Sequence, residues 1–129
     1  MGRVIAHGVD LVEVERIKRS LDEHGKRFVE RCFTKNEAGY CQSARPPRDV
    51  ERFAARFAAK EAALKSLGTG WADGIAWTDV EVILAPSGAP SVKLAGRAQE
   101  LAQELGITEM LISLSHTGTH AMASVIAIG

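Results

Sequence analysis

The sequence predicts an α+β fold in which a mainly antiparallel sheet wraps around a long central helix. Two observations carry this prediction. Residues 49–67 have the apolar spacing of one long helix, and strand-like segments lie on both sides of it in the chain. The last two of these segments flank a Thr-Gly-Thr turn, which favours an antiparallel hairpin.

The start of the chain is predicted to form one strand and two helices. Residues 3–12 are rich in β-branched and apolar side chains, although Gly8 and Asp10 interrupt the run. Apolar residues at helical spacing then predict a helix over residues 13–25, which a glycine can end. The same spacing over residues 26–33 predicts a second helix.

A capping box and a proline pair place the next helix and its end. Thr34 and Glu37 have the capping-box spacing, which predicts a short helix through Tyr40. Residues 44–48 contain Pro46 and Pro47, which break that helix and form a loop before the long helix.

The long helix shows both of its ends and two packing faces. Asp49 can cap its start, and Gly68 can close it. At about 100° per residue, Phe53, Phe57 and Leu64 share one narrow arc, which forms a core stripe. Paired alanines form a second, small face at residues 54, 55, 58, 59, 62 and 63. Because this face lets another element approach closely, we expect the helix to be central.

Four strands and one helix are predicted after the long helix. Alternating apolar and acidic residues over 77–84 predict a half-buried strand, and residues 92–94 pair back on it across a turn. An amphipathic helix from Leu94 to Leu105 ends at Gly106. The last two strands are predicted at residues 110–116 and 121–128.

Length and composition exclude several classes of protein. The 129 residues are expected to form one domain, 1–129, whose 46% apolar and 25% charged residues are unlike those of a disordered chain. Sixteen basic residues balance sixteen acidic ones, so net charge gives no reason to expect nucleic acid. No apolar run approaches the roughly 20 residues of a membrane span, so no membrane partner is expected. Cys32 and Cys41 form no CxxC motif, which suits a reducing compartment and a cytoplasmic location.

Charge is distributed unevenly along the chain. Residues 16–35 carry seven basic and three acidic side chains, whereas residues 71–109 carry two basic and six acidic ones. A solvated helix surface explains any single charge of this kind. The clustering also suits an anionic partner that docks on the basic half.

Lys60 is the first residue that conflicts with its surroundings. It lies within the apolar arc of the long helix, so its ammonium must either extend past the core edge or meet an anion. Glu61 lies at the border of the same arc, and Lys65 follows one turn later. On spacing alone, Glu61 and Lys65 form an ordinary surface ion pair.

Asp10 is the second such residue, because it interrupts an apolar strand. A buried carboxylate needs a partner, since leaving it unpaired costs several kcal/mol. A helix N-terminus or an arginine would be a structural partner. A divalent cation would be a functional one, and Asp10 with Glu61 would suit Mg²⁺, which prefers oxygen ligands.

His116 and two glycines are further candidates. His116 stands at a predicted strand end, where it either satisfies the edge of the sheet or holds a phosphate. Gly68 and Gly70 follow the long helix, so they form a helix cap and a turn, or they admit a ligand close to the backbone.

Three motifs together make the sequence similar to the 4′-phosphopantetheinyl transferases, and among them to the small bacterial holo-acyl-carrier-protein synthases. The first is Gly8-Val-Asp10 at the end of a strand. The second is the segment 56–65, Arg-Phe-Ala-Ala-Lys-Glu-Ala-Ala-Leu-Lys, followed by Gly-Thr-Gly. The third is the segment 113–117, Ser-Leu-Ser-His-Thr. They occur in the family's order and span nearly the whole chain.

The resemblance implies the family's fold and its chemistry. It implies that coenzyme A binds with Mg²⁺ on its diphosphate, that Asp10 and Glu61 hold the metal, and that these two and Lys65 are catalytic. A serine of apo acyl carrier protein would attack the β-phosphate, and adenosine 3′,5′-bisphosphate would leave. Glu61, or a metal-bound water positioned by Asp10, would accept the serine proton. The residues implied in coenzyme A binding are Arg56, Lys60, Lys65, Gly68, Gly70 and His116.

The resemblance also implies two kinds of protein contact. Acyl carrier proteins are acidic, and Arg16, Arg27, Phe28 and Arg31 match the surface on which the family docks them. Members of the small bacterial type are homotrimers with sites at subunit interfaces, and they serve fatty acid biosynthesis.

Two other functions are compatible with the same residues. One is a binding module that holds an acidic protein on the basic half without any transfer. The other is a different enzyme acting on coenzyme A or a nucleotide diphosphate, which would keep the metal site and ignore the carrier protein. Joint presence of Asp10, Glu61 and Lys65 argues against the binding module.

Overall fold

The protein is described by a computed structural model, which covers residues 2–70 and 74–129. Its elements follow in the order β1 (Val4–Glu13), α1 (Val14–His24), α2 (Lys26–Cys32), α3 (Lys35–Gln42), α4 (Arg48–Leu67), β2 (Val80–Leu84), β3 (Pro90–Leu94), α5 (Gly96–Glu104), β4 (Glu109–His116) and β5 (His120–Ile128). The expected α+β class is confirmed.

All strand pairs among the described residues are antiparallel. The main sheet has the order β1-β5-β4, and β2 and β3 form a separate hairpin. In the main sheet Asp10 lies opposite Ala123, and His116 lies opposite Ala121. Both side chains therefore point to the face of the sheet that carries the buried alanines. Their strands, β1 and β4, lie on opposite sides of β5.

Helix α4 packs on that inner face, as the alanine pattern predicts. Its six paired alanines are all buried. The closest approach is at Gly8, where an added Cβ would lie 2.1 Å from the carbonyl oxygen of Ala62. Glycine is needed here because the helix backbone occupies the space of a side chain.

The outer face of the main sheet remains open to solvent. Side chains alternate along β1, so Val9 is 53% exposed and Leu11 is 64% exposed while their neighbours point inward. Leu11 lies opposite Met122 on β5. Ile126 lies opposite Leu111 on β4, and all of these residues are exposed.

Several local predictions are confirmed. Thr34 and Glu37 form the capping box, with the Glu37 amide donating to Thr34 Oγ1 at 3.2 Å and the Thr34 amide donating to Glu37 Oε1 at 2.9 Å. Gly68 closes α4 with a left-handed φ of 80°. Among the described residues, no helix combines the length and the apolar character that a membrane crossing needs.

Three element ends differ from the prediction. Helix α4 begins at Arg48 after Pro47, so Asp49 lies within its first turn and does not cap it. Trp77–Asp79 forms a turn of 3₁₀ helix ahead of β2. Leu94 belongs to β3, whose pairing with β2 takes precedence over its helical spacing, and α5 begins at Gly96. The sequence predicts no element for the segment between Trp71 and Trp77, and residues 71–73 of it lie outside the described residues.

Candidate functional site

Asp10 and Lys65 meet where β1 crosses the last turns of α4. Lys65 donates from Nζ to Asp10 Oδ1 at 3.1 Å and to the carbonyl oxygen of Val9 at 3.0 Å. The Asp10 side chain is 17% exposed, whereas that of Lys65 is 54% exposed. Glu61 lies one helical turn before Lys65 on the same side of α4. The three predicted catalytic residues therefore share one surface.

The close approach at Gly8 explains how this cluster forms. Because β1 lies against α4 there, the next inward-facing position, Asp10, comes level with the end of the helix. The structural partner expected for Asp10 is thus a lysine, and not an arginine or a helix N-terminus.

The two glycines after α4 have separate roles in the backbone. The Gly68 amide donates to the carbonyls of Leu64 at 3.1 Å and Lys65 at 3.2 Å, which confirms the expected helix cap. Gly70 also has a positive φ, of 61°. At either position an added Cβ would meet no atom of the described residues within 4 Å, so crowding among those residues does not require either glycine. Their contact with coenzyme A stays a prediction.

The donor set around Lys65 fits Mg²⁺. Asp10 supplies a carboxylate that already pairs with a cationic group, and Glu61, one turn before Lys65 on α4, supplies a second carboxylate. No group of three or more metal-ligating side chains occurs within residues 2–70 and 74–129. A Mg²⁺ ion would not require such a group, because that ion usually takes one or two protein carboxylates and completes its shell with water and phosphate.

A second site is a cleft of about 670 Å³ bounded by α3, α4, β4 and the β2–β3 hairpin. Arg56 and His116, both predicted to bind coenzyme A, line it. So do three residues that the sequence reasoning did not single out: Tyr40, Arg48 and Arg52. These arginines recur every four residues on α4, so they lie on one side of the helix. This spacing is visible in the sequence and could have predicted an anion-binding surface.

Arg56 is the most deeply buried arginine of this cleft. It is 4% exposed, its Nε has no hydrogen-bond partner among the described residues, and its guanidinium lies 4.2 Å from the ring centroid of Tyr40. Arg52 stacks on the same ring at 4.1 Å. A buried cation is costly unless it is paired, and the described residues leave Arg56 Nε without a partner, so an anionic ligand in the cleft would relieve this cost.

His116 faces the same cleft from the end of β4. Its Nδ1 lies 3.1 Å from Oε1 of Glu51, which stands on the first turn of α4. Glu51 and Lys65 are separated by fourteen residues of one helix, a rise of about 21 Å. Within one chain, the structure therefore does not bring His116 into the Asp10, Glu61 and Lys65 cluster.

The expected contact between Lys60 and a bound anion needs correction. The Lys60 side chain is 0% exposed, and its Nζ lies 2.8 Å from Oε1 of Glu37, which is also fully buried. Burial lowers the pKa of Lys60, and the neighbouring Glu37 carboxylate acts against that shift. Lys60 does meet an anion, but this anion is an internal carboxylate, because the apolar arc that contains Lys60 is packed inside the core.

The four residues expected to contact a carrier protein line one groove. Arg16, Arg27, Phe28 and Arg31 surround a groove of about 380 Å³ between α1, α2 and α4. We call this the basic groove. Two aromatic side chains, Phe57 and Trp77, line it as well. The guanidinium of Arg16 lies 5.7 Å from the ring centroid of Phe57.

Comparison with known proteins identifies what the chain resembles. The model of the 4′-phosphopantetheinyl transferase superfamily matches residues 6–123. A holo-[acyl-carrier-protein] synthase of Koribacter versatilis is 48% identical over 123 residues, covering 95% of this chain and 97% of that relative.

Solved structures of similar proteins cover almost the whole fold. The holo-(acyl-carrier-protein) synthase of Bacillus anthracis, in complex with CoA (3′,5′-ADP), is 30% identical with a TM-score of 0.82, covering 98% of this chain and 97% of that chain. The Helicobacter pylori holo-[acyl-carrier-protein] synthase in complex with coenzyme A is 26% identical with a TM-score of 0.81, covering 94% of this chain and 98% of that chain.

Proposed function

Because the chain belongs to the 4′-phosphopantetheinyl transferase superfamily, we propose that it moves the 4′-phosphopantetheine group from coenzyme A to a serine of apo acyl carrier protein. It is a phosphopantetheinyl transferase of the holo-[acyl-carrier-protein] synthase type. The observation that carries the proposal is the Lys65–Asp10 ion pair beside Glu61 at the end of α4.

The reaction is a phosphoryl transfer, in which positioning and charge neutralisation supply most of the rate. The serine oxygen forms a bond to the β-phosphorus of coenzyme A, and the bond from that phosphorus to the bridging oxygen breaks. The bridging oxygen keeps the electron pair and leaves with adenosine 3′,5′-bisphosphate. The serine proton passes to the Glu61 carboxylate or to a water beside Asp10.

Each residue of the cluster has a role in this scheme. Asp10 and Glu61 would hold Mg²⁺, which neutralises diphosphate charge when bound. Lys65 supplies a second cation on a half-exposed side chain with rotatable bonds, which would let it turn from Asp10 toward a phosphate. Glu61 lies one turn before Lys65 on the same side of α4, so it would lie near the hydroxyl of a carrier serine bound at this surface.

The cleft lined by Arg56 suits the nucleotide end of coenzyme A. Arg48, Arg52 and Arg56 provide cations for its phosphate, and Tyr40 provides a flat surface. His116, beside Glu51, adds a further hydrogen-bonding group. The buried Nε of Arg56, which has no partner among the described residues, supports this assignment, because an anion in the cleft would pair with it.

The basic groove suits the acidic carrier protein. Arg16, Arg27 and Arg31 supply the charge that attracts an acidic surface, and Phe28 supplies an apolar contact. Such an arrangement raises the association rate and makes it sensitive to salt. A carrier of fatty acid biosynthesis is the expected partner, and a cytoplasmic location remains a prediction.

We also propose that three copies assemble through the outer face of the main sheet. Val9, Leu11, Leu111, Met122 and Ile126 form an exposed apolar face there. The paired alanines of α4 do not contribute, because they are buried within the chain. Such a face favours association between protein surfaces. Leu11→Lys should release monomers in sedimentation analysis, whereas Leu105→Lys, at an exposed leucine outside the sheet, should leave the trimer intact.

We call the cluster of Asp10, Glu61 and Lys65 the diphosphate site, and the cleft lined by Arg56 the nucleotide cleft. In this assembly, the diphosphate site of one copy combines with the nucleotide cleft of its neighbour. The separation of the two clusters along α4 supports this arrangement. A mixture of Asp10→Asn and Arg56→Met subunits, refolded together, should recover activity at about a quarter of the interfaces. No recovery would mean that each copy carries its complete site.

The proposed reaction is tested by the intact mass of an apo acyl carrier protein. Incubation with this protein, coenzyme A and Mg²⁺ should add one phosphopantetheine group, and a chelator should prevent the addition. Asp10→Asn and Glu61→Gln should abolish it with folding retained. Asp22→Asn, which changes an exposed carboxylate paired with Lys18, is the matched control. Binding of the carrier without any mass gain would favour the binding module instead.

A further inference from the structure

The buried ion pair of Lys60 and Glu37 lies outside both ligand sites. Neither side chain has exposed surface. Besides its contact with Glu37, Lys60 donates from Nζ to the carbonyl oxygen of Trp77 at 3.2 Å and to that of Val80. All three N–H groups of the ammonium are therefore used within the chain.

Glu37 extends the same network in the other direction. Its Oε1 accepts from the Thr34 amide at 2.9 Å, and its Oε2 accepts from the Val82 amide at 2.8 Å. The pair thus ties α3 and α4 to the chain between Trp77 and Val82. That stretch contains the 3₁₀ turn of Trp77–Asp79 and the first residues of β2.

Stability alone does not account for such a pair. Buried ion pairs are frequently no more stabilising than apolar residues of the same volume, because both charges lose their hydration. The pair does fix the position of the surrounding backbone, because its four other hydrogen bonds each involve a backbone atom of a defined residue. The carbonyl of Trp77 is one of these atoms.

Trp77 connects the pair to the basic groove. Its ring stacks on Phe57 with a centroid distance of 4.8 Å, and Phe57 lies 6.3 Å from Phe28. Both Trp77 and Phe57 line the groove together with Arg16. The position of the Trp77 backbone, held from inside by Lys60, therefore sets one wall of this groove.

We propose that Lys60 and Glu37 are positioning residues that hold Trp77 as a wall of the basic groove, and so set affinity for the acidic carrier protein. The chemical step is unaffected, because Lys60 points into the core and away from the diphosphate site. This inference rests on the proposed function.

A double-mutant cycle tests it in a Trp71→Phe background, where Trp77 is the remaining tryptophan. Lys60→Met should raise KM for the carrier about tenfold and leave kcat and KM for coenzyme A within about twofold. Trp77→Ala should have a similar effect. Because both substitutions change the same wall of the groove, the variant that combines them should have a KM for the carrier no higher than that of either single variant. If Lys60→Met does not fold, Lys60→Met/Glu37→Gln removes both charges and takes its place.

Ile107→Ala is the matched control for lost stability. Ile107 is buried but lines neither the basic groove nor the nucleotide cleft. It should lower the melting temperature without changing KM for the carrier. Any of three results would overturn the proposal. The first is an equal rise of KM for the carrier in Ile107→Ala, and the second is additive effects of Lys60→Met and Trp77→Ala on that KM. The third is a Lys60→Met variant in which only kcat falls.

Trp77 fluorescence separates this proposal from the proposed function. In the Trp71→Phe background, Lys60→Met should shift the emission to longer wavelength and increase acrylamide quenching. If the wild-type protein transfers no phosphopantetheine, the proposed function fails. Unchanged Trp77 emission in a folded Lys60→Met variant overturns the positioning role, whatever the activity.

Discussion

Lys65 donates to Asp10 Oδ1 at 3.1 Å, although the two residues are 55 positions apart in the chain. The contact joins the central helix to the first strand, one helical turn after Glu61. Because Asp10 is mostly buried and Lys65 is half exposed, the lysine is the partner that can move. The pair therefore places a cation beside the expected diphosphate before any ligand binds.

Replacing Lys65 should impair catalysis more than folding. Lys65→Met removes a cation that would stabilise diphosphate charge, and loss of one such group typically lowers kcat by about 10²-fold or more. Steady-state rates of carrier modification measure the effect, and thermal unfolding measures stability. Lys18→Met, at an exposed lysine paired with Asp22, is the control and should retain the rate. Equal rates in the two variants would remove Lys65 from the mechanism.

Gly8→Ala should destabilise the protein strongly. Its new Cβ would lie 2.1 Å from the Ala62 carbonyl oxygen, so β1 and α4 would have to separate. We expect a loss of about 3 kcal/mol in the free energy of unfolding, measured by urea denaturation. Gly39→Ala is the control, because its Cβ would meet nothing within 4 Å. In helix α3 that change should stabilise by about 0.5–1 kcal/mol. Similar effects at both positions would contradict the close packing at Gly8.

Arg56→Met should have opposite effects on nucleotide binding and on stability. The variant removes a buried cation, so the unliganded protein should become at least as stable. Adenosine 3′,5′-bisphosphate should bind about 10- to 100-fold more weakly, because a charge-assisted contact is lost. Calorimetry measures the affinity, and Arg45→Met, at an exposed loop arginine outside the cleft, is the control. Unchanged affinity would place the nucleotide elsewhere.

Arg27→Glu should weaken carrier binding in a salt-dependent way. Charge reversal in the basic groove should lower the association rate, and the difference from wild type should shrink at high ionic strength. Stopped-flow binding to an apo carrier protein measures this. Arg19→Glu reverses a charge on α1 that does not line the groove, and it should have the smaller effect. A larger effect at Arg19 would move the docking surface.

Cys41 should make stability fall in alkaline solution. Burial raises the pKa of its thiol from 9.0 to about 12. Since the thiol ionises more readily in the unfolded chain, its contribution is complete below pH 9 and is lost as pH rises toward 12. Within that window, the stability difference between wild type and Cys41→Ala should fall by about 1.4 kcal/mol per pH unit. A difference that does not change with pH would show that the Cys41 thiol is accessible to water.

The sequence was most informative where structure follows from local pattern. The helix ends at Gly25 and Gly68 and the capping box of Thr34 and Glu37 are confirmed, because caps and turns act between neighbouring residues. It was less informative where two local preferences competed. Leu94 has helical spacing, yet it pairs with Val80 in a hairpin.

The amino-acid sequence by itself determined the family, the α+β class, the central helix and the candidate residues Asp10, Glu61 and Lys65. Only the tertiary structure decided which of these residues meet, and with what. It paired Asp10 with Lys65, enclosed Lys60 with Glu37, and left Arg56 stacked on Tyr40. These contacts join distant parts of the chain, and periodicity and capping describe only neighbours. Burial and long-range pairing follow from how the helix lies on the sheet, and that is a property of the folded molecule.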